Sequence, residues 1–298
     1  MLWQILVAVA CLYFLILTTT ETFTRLPNSH GHTSTIYLLP PQTNATESLI
    51  CKSVHPHFAT TLFPVEKEVY ERFSAAPDAP TSLLTYHGTH TDIPSGLILE
   101  FAENGNLPNW LLNTAEPPSN ALLYKWTLQA AEALSFAHNL GILHSDIHPA
   151  NFFLTADMDL KVGDWGGAAV DGRPSFCSYR YKYRLFDANG TDIVKEHGVS
   201  ATTEIFAFGT AVFAMVSGEE VWPELEEPSD WEEIRRRISK GRFPDTKELR
   251  VLGHVVEGCW GGRYESMEEV RVAIERERDA LLSQDAAVLQ QIAFIVAK

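Results

Sequence analysis

The sequence predicts an α+β chain built in two parts, a small β-rich part followed by a larger helical one. Three observations carry this. Up to about Ala102 the apolar residues come in short runs broken by proline and turn formers; beyond Asn104 they recur at helical spacing over long windows. Of the 298 residues, 45% are apolar and 20% charged, which is enough apolar surface to bury a core of that size.

Taken in order, residues 33–39 and 48–54 read as strands joined by a loop carrying Pro40, Pro41 and Asn44. Residues 65–73 read as a helix, closed by a turn at Pro77 and Pro80. Residues 83–86 and 97–101 read as two further strands, with Asn104, Gly105 and Asn106 turning the chain. Residues 122–139 read as a helix with Leu123, Trp126, Ala130 and Leu134 on one stripe, stopped by Gly141. Residues 152–154 and 160–162 read as a short hairpin. Residues 204–216 are apolar almost all round, the mark of a central buried helix, and Gly218 stops it. Ser229 with Glu232 and Ser266 with Glu269 have capping-box spacing and open two later helices. The expected division is 28–102 for the first part, 103–283 for the second, and 284–298 for a helical tail.

The formal net charge of −15 excludes a general nucleic-acid binder, since no broad basic surface can neutralise phosphates. None of the four cysteines forms a CxxC pair, which argues against a zinc site and a disulfide framework and for a reducing compartment. Residues 2–20 carry no charge and approach the length of about 20 residues that crosses a bilayer. We expect residues 1–25 to form a single-pass membrane anchor with the folded part in the cytoplasm. A signal peptide is one alternative, although no basic segment precedes the apolar run; a buried helix or strand is the other. Asn44 and Asn189 head glycosylation sequons.

The chemistry concentrates in His144, Asp146, His148, Pro149 and Asn151, followed by Gly163, Asp164, Trp165 and Gly166. Phosphoryl transfer from ATP needs a carboxylate to orient the attacking hydroxyl and take its proton, together with oxygen ligands that hold Mg2+ on the phosphates. Asp146 suits the first task, and Asn151 and Asp164 the second. The predicted hairpin brings Asp164 back beside Asn151.

These motifs resemble the catalytic loop H-R-D-x-x-x-x-N and the D-F-G metal loop of eukaryotic protein kinases. Their wording is similar to a protein kinase-like family abundant in filamentous fungi. The resemblance spans about residues 31–280 and implies a two-lobed protein kinase-like fold. It implies an ATP-dependent, serine/threonine-type protein kinase using ATP and Mg2+, with a protein substrate. Lys52 then contacts phosphate. Glu68 pairs with Lys52, with Glu71 the second candidate. Leu99 stands as gatekeeper, and the backbone of Glu100 to Ala102 faces adenine. His148 stands in the loop near the transferred phosphate. Glu204 and Gly209 match the buried helix of the large lobe, and Cys259 with Trp260 a late helix.

Four departures matter. Only Gly31 lies where a glycine-rich phosphate loop is expected. Ser145 replaces the arginine that pairs with an activation-segment phosphate, so alanine at Ser178, Tyr179, Tyr181 and Tyr183 is expected to leave activity unchanged. No A-P-E motif lies between Gly172 and Glu204, and the basic-aromatic run 179–184 is expected to pack on the lobe. Glu204 stands for aspartate. Two alternatives stay open: a pseudokinase serving as a binding module, and a small-molecule phosphotransferase like the aminoglycoside and choline kinases.

Overall fold

The computed structural model describes residues 24–41 and 48–296. They divide into two compact units. The first takes the residues up to Ala59 together with Tyr86–Phe101; the second takes Thr60–Thr85 and the chain from Ala102 onward.

The first unit is an antiparallel sheet of five strands: β1 (Thr24–His30), β2 (Ser34–Leu38), β3 (Leu49–Val54), β4 (Tyr86–Thr89) and β5 (Gly96–Glu100), in the order β1-β2-β3-β5-β4. Strand β1 was not legible in the sequence. It holds a proline and few apolar residues, which suits only an edge, and it pairs with β2 alone. Cys51, Leu97 and Leu99 are buried in this unit. Gly96 marks the closest approach, since a Cβ there would stand 2.7 Å from Cys51 Sγ. Burial pushes the Cys51 thiol up to about 12, so it is an inert core group.

The expected strand at 83–86 does not form. Leu83 makes a single bridge to Val162 in the second unit, and the strand proper starts at Tyr86. Helix α1 (Leu62–Ala75), expected in the first part, belongs to the second unit. The reason is its buried stripe: the Phe73 ring lies 5.0 Å from Trp165 and 5.9 Å from Phe136.

The second unit continues with α2 (Leu107–Asn113) and α3 (Asn120–Asn139), then the short strands β6 (Ile142–Leu143), β7 (Phe152–Leu154), β8 (Leu160–Val162) and β9 (Ala169–Val170). The later helices are α4 (Ile193–His197), α5 (Ala201–Ser217), α6 (Trp231–Ser239), α7 (Gly253–Trp260) and α8 (Met267–Val296). Every residue of α5 from Thr203 to Val216 is buried, which is why its sequence has no polar face. Ser200 and Thr203 close a capping box on its first turn, and Gly218 ends it at φ +82°. Ser229 does not cap α6: Asp230 stands at the N-cap, with no side-chain bond to the helix. Ser266 does accept from the Glu269 amide at 3.2 Å, but the Glu269 carboxylate reaches Glu265 N instead of closing the box. Helix α8 runs through residue 284 without a break.

Among the described residues no helix is long and apolar enough to cross a membrane. The apolar segment 2–20 and the Asn44 sequon lie outside the described residues.

Candidate active site

The loop between β6 and β7 lies wholly in the second unit and is held by buried groups. The backbone turns through two strained positions, Ser145 at φ +71° and Asp164 at φ +65°. Left-handed backbone at non-glycine residues is costly and persists only where its surroundings impose it. The surroundings here are His144 and Glu204, both fully buried. His144 Nε2 donates to the Gly163 carbonyl at 3.0 Å, and its Nδ1 accepts from the Asp146 amide at 3.3 Å. One ring thus couples the two loops, and it rests 4.5 Å from the buried Trp165 ring.

Glu204 projects from the first turn of α5. Its Oε2 accepts the His144 amide at 2.8 Å, and its Oε1 accepts the Ser145 amide at 2.9 Å. His138 Nε2 donates to Oε2 at 3.2 Å, and the Tyr179 hydroxyl donates to Oε1. Burial works against a charge on this carboxyl. The His138 hydrogen bond and charge, His144 and the Tyr179 hydroxyl outweigh it and hold the pKa below the usual range.

Asp146 sits at the open side of this frame with its side chain 27% exposed. His148 is buried beside it. The Ala150 amide donates to His148 Nδ1 at 3.2 Å, so the ring proton of a neutral His148 lies on Nε2, 3.4 Å from Asp146 Oδ2. Asn151 Nδ2 donates to the Asp146 carbonyl at 2.8 Å, and the Asn151 carbonyl accepts the Gly163 amide at 3.1 Å. The second bond places Asp164 one residue from the Asn151 backbone. Asp146, Asn151 and Asp164 are therefore brought together, by the hairpin read in the sequence.

The donor chemistry fits a magnesium ion. Asn151 spends its amide nitrogen on the Asp146 carbonyl, which leaves its side-chain oxygen as the atom for a cation, and Asp164 adds a carboxylate. Hard cations of this kind take oxygen ligands and complete their shell with water and phosphate. Among the described residues no group of three or more His, Cys, Asp or Glu stands close enough to hold a metal by itself.

Helix α1 separates its glutamates by face. Glu68 donates nothing to a buried site: its carboxylate accepts from Arg173 at 2.6 and 2.7 Å and from Arg72 at 2.6 Å, and Arg72 also grips both oxygens of Asp171. The Arg173 hydrogen bond, then Arg72, hold the Glu68 carboxyl below its ordinary range. The buried glutamate of this helix is Glu66, 1% exposed. Its Oε2 lies 3.5 Å from where a Cβ on Gly166 would stand, beside the metal-loop motif. Sequence reasoning chose Glu68 and missed Glu66, yet the signal was there. Leu62, Glu66 and Tyr70 recur every four residues on the buried stripe with Val65, Val69 and Phe73, whereas Glu68 and Arg72 fall off it.

Of the other expected residues, Lys52 is buried in β3, in register with Leu97 and Ile36. Leu99 and Glu100 are buried in β5, opposite Ile50 and Leu49. These belong to the first unit. Ala102 belongs to the second, and its carbonyl accepts the Gly105 amide at 2.9 Å. The basic-aromatic run packs, as expected, through Tyr179, Lys182 and Tyr183, all buried. That burial corrects one expectation: alanine at Tyr179 or Tyr183 opens a core cavity, so only Ser178 and Tyr181 can report on phosphorylation.

Comparison with known proteins identifies the family. The family described as protein kinase domain matches residues 81–260. The chain is 24% identical over 200 residues to the serine/threonine-protein kinase mos of Xenopus laevis, covering 61% of this chain and 54% of that protein. It is 26% identical over 150 residues to cell division control protein 7 of Schizosaccharomyces pombe, covering 50% of this chain and 14% of that protein. It is 40% identical over 79 residues to the probable serine/threonine-protein kinase FMP48 of Saccharomyces cerevisiae, 24% of this chain and 21% of that one. The chain thus spans about half the length of the first of these relatives and less of the others. With a loop that sets Asp146, Asn151 and Asp164 together over a buried glutamate, and a family match across more than half of its length, this chain belongs to the protein kinase family.

Proposed function

We propose that the chain is an active ATP-dependent protein kinase of serine/threonine type. The observation that carries this reading is the frame around Asp146: Asn151 is hydrogen-bonded to the Asp146 carbonyl, and the Gly163 amide to the Asn151 carbonyl one residue ahead of Asp164. Asp146 accepts the proton of the acceptor hydroxyl and orients it for in-line attack. The Nε2 face of His148, 3.4 Å from its Oδ2, fixes the rotation of the carboxylate. Asn151 and Asp164 are the residues that would hold Mg2+, which supplies neutralisation of the phosphate charge. Lys52 is the cation proposed for the ATP phosphates, and Leu99, Glu100 and Ala102 the residues proposed for adenine. With one glycine in the β1–β2 turn, ATP binding leans on these charges, and a dissociation constant well above submicromolar is expected.

The test is magnesium-dependent ATP turnover by the full-length chain beside Asp146→Asn and Asp164→Asn. Each substitution is expected to lower turnover by at least about a hundredfold while the fold is retained. A wild type that folds but neither binds nor turns over ATP sinks the reading and favours a binding module. The uncharged run 2–20 supports membrane anchoring, and the lack of a CxxC pair or a dense cysteine framework favours the cytoplasmic side for the folded part. Release of the full-length protein from membranes at alkaline pH would count against it.

A further inference from the structure

We infer that Tyr179 is a positioning residue for the catalytic loop, acting through Glu204 and without any phosphate; the inference rests on the kinase reading above. The Glu204 carboxylate is fully buried, and both oxygens are doubly engaged: Oε2 by the His144 amide and His138, Oε1 by the Ser145 amide and the Tyr179 hydroxyl. Two of these four donors are the backbone amides directly ahead of Asp146. One of them, at Ser145, stands in left-handed backbone that needs an external restraint. Tyr179 supplies part of that restraint by fixing the position of Oε1.

The tyrosine is itself immobilised. Its side chain is 1% exposed, and its carbonyl accepts two guanidinium hydrogens of Arg184, at 2.7 and 3.2 Å. Arg184 is held in turn by Asp192 at 3.0 Å. The segment beyond β9 is therefore tied to the catalytic loop by one carboxylate rather than by a phosphate. Ser145 offers no charge for a phosphate, and its hydroxyl donates to the Leu143 carbonyl at 3.3 Å. Burial, and then the neighbouring Glu204 charge, raise the Tyr179 pKa well above its ordinary value. The hydroxyl accordingly stays a donor at neutral pH.

The experiment compares the full-length wild type with Tyr179→Phe, Glu204→Asp and the double variant. Phenylalanine keeps the ring and removes the one hydroxyl; aspartate withdraws the carboxylate by one methylene. Tyr179→Phe is expected to lower kcat at least about tenfold, because a misplaced catalytic group costs rate steeply. KM for ATP should stay within about twofold. Amide exchange across residues 144 and 145 should quicken. The double variant should be no worse than the weaker single one, since both break the same link. A wild-type kcat in Tyr179→Phe, a loss that merely follows the folded fraction, or additive effects would overturn the inference. If the wild type is inactive, the proposed function falls, and exchange at 144–145 decides alone: unchanged exchange in Tyr179→Phe overturns the positioning role, and faster exchange upholds it.

Discussion

Two glutamates on one helix show how much a single register matters. Glu66 and Glu68 are two residues apart, so they point to different faces of α1. Glu68 spends its charge on Arg72 and Arg173, in pairs that are about a third to a half exposed. Pairs so exposed are worth about 0–1 kcal/mol. Glu66 is buried against the glycine that follows Trp165. We expect Glu68→Gln to leave ATP turnover within about threefold and to lower stability by less than about 1 kcal/mol. Glu66→Gln is expected to lower turnover at least about tenfold, since a buried carboxylate loses both charge and geometry. Kinetics of the two variants side by side check this, and the reverse order would return Glu68 to the site.

At the scale of elements, α5 is the post on which the site is built. It carries Glu204 at one end and meets α7 through Gly209 and Trp260, whose Nε1 donates to Thr210 Oγ1 at 2.9 Å. A Cβ on Gly209 would stand 2.5 Å from Cys259 Cβ, so the helices are as close as glycine permits. Gly209→Ala is expected to cost about 1–3 kcal/mol by overpacking, measured by denaturant unfolding. An unchanged midpoint would mean that the two helices separate freely. Around Trp260, the Phe243 ring stacks at 4.4 Å and the Phe213 ring lies at 5.5 Å, which makes relaxation of α7 costly. The same scale bears on the expected independence from phosphorylation. Ser178 and Tyr181 are the hydroxyl-bearing residues of the run 178–183 that can be changed without emptying the core, and Ser178→Ala with Tyr181→Phe is expected to leave turnover unchanged. A large loss in that double variant would restore a role for phosphorylation.

For the whole molecule, acid stability follows from Glu204. Its folded pKa is held below the ordinary glutamate value by His138, His144 and Tyr179 against burial, so its contribution is complete above the unfolded value and is lost as pH falls through the folded one. Thermal unfolding should hold its midpoint from neutral pH down to the ordinary glutamate pKa of about 4.3 and drop below that. A decline starting near pH 6 would instead point to a histidine. The net charge of −15 acts in the opposite direction at neutral pH through self-repulsion, and moderate salt should raise the midpoint.

The sequence by itself determined the class of fold, the order of the main elements and the loop and hairpin that carry the three residues proposed for catalysis. Those signals are local: a spacing of five between Asp146 and Asn151, a hairpin between Phe152 and Val162, and an apolar period through residues 204–216. Tertiary structure alone decided which partners the charges take. Glu68 meets Arg173, and Glu204 meets Tyr179, across separations that no period encodes. It also decided that α1 belongs with the helical unit, because Phe73 finds Trp165 there, and that a proline-bearing segment forms the edge strand β1, because β2 offers it a free side. Local propensity sets what an element is; burial and charge, which depend on residues distant in the chain, set what it touches.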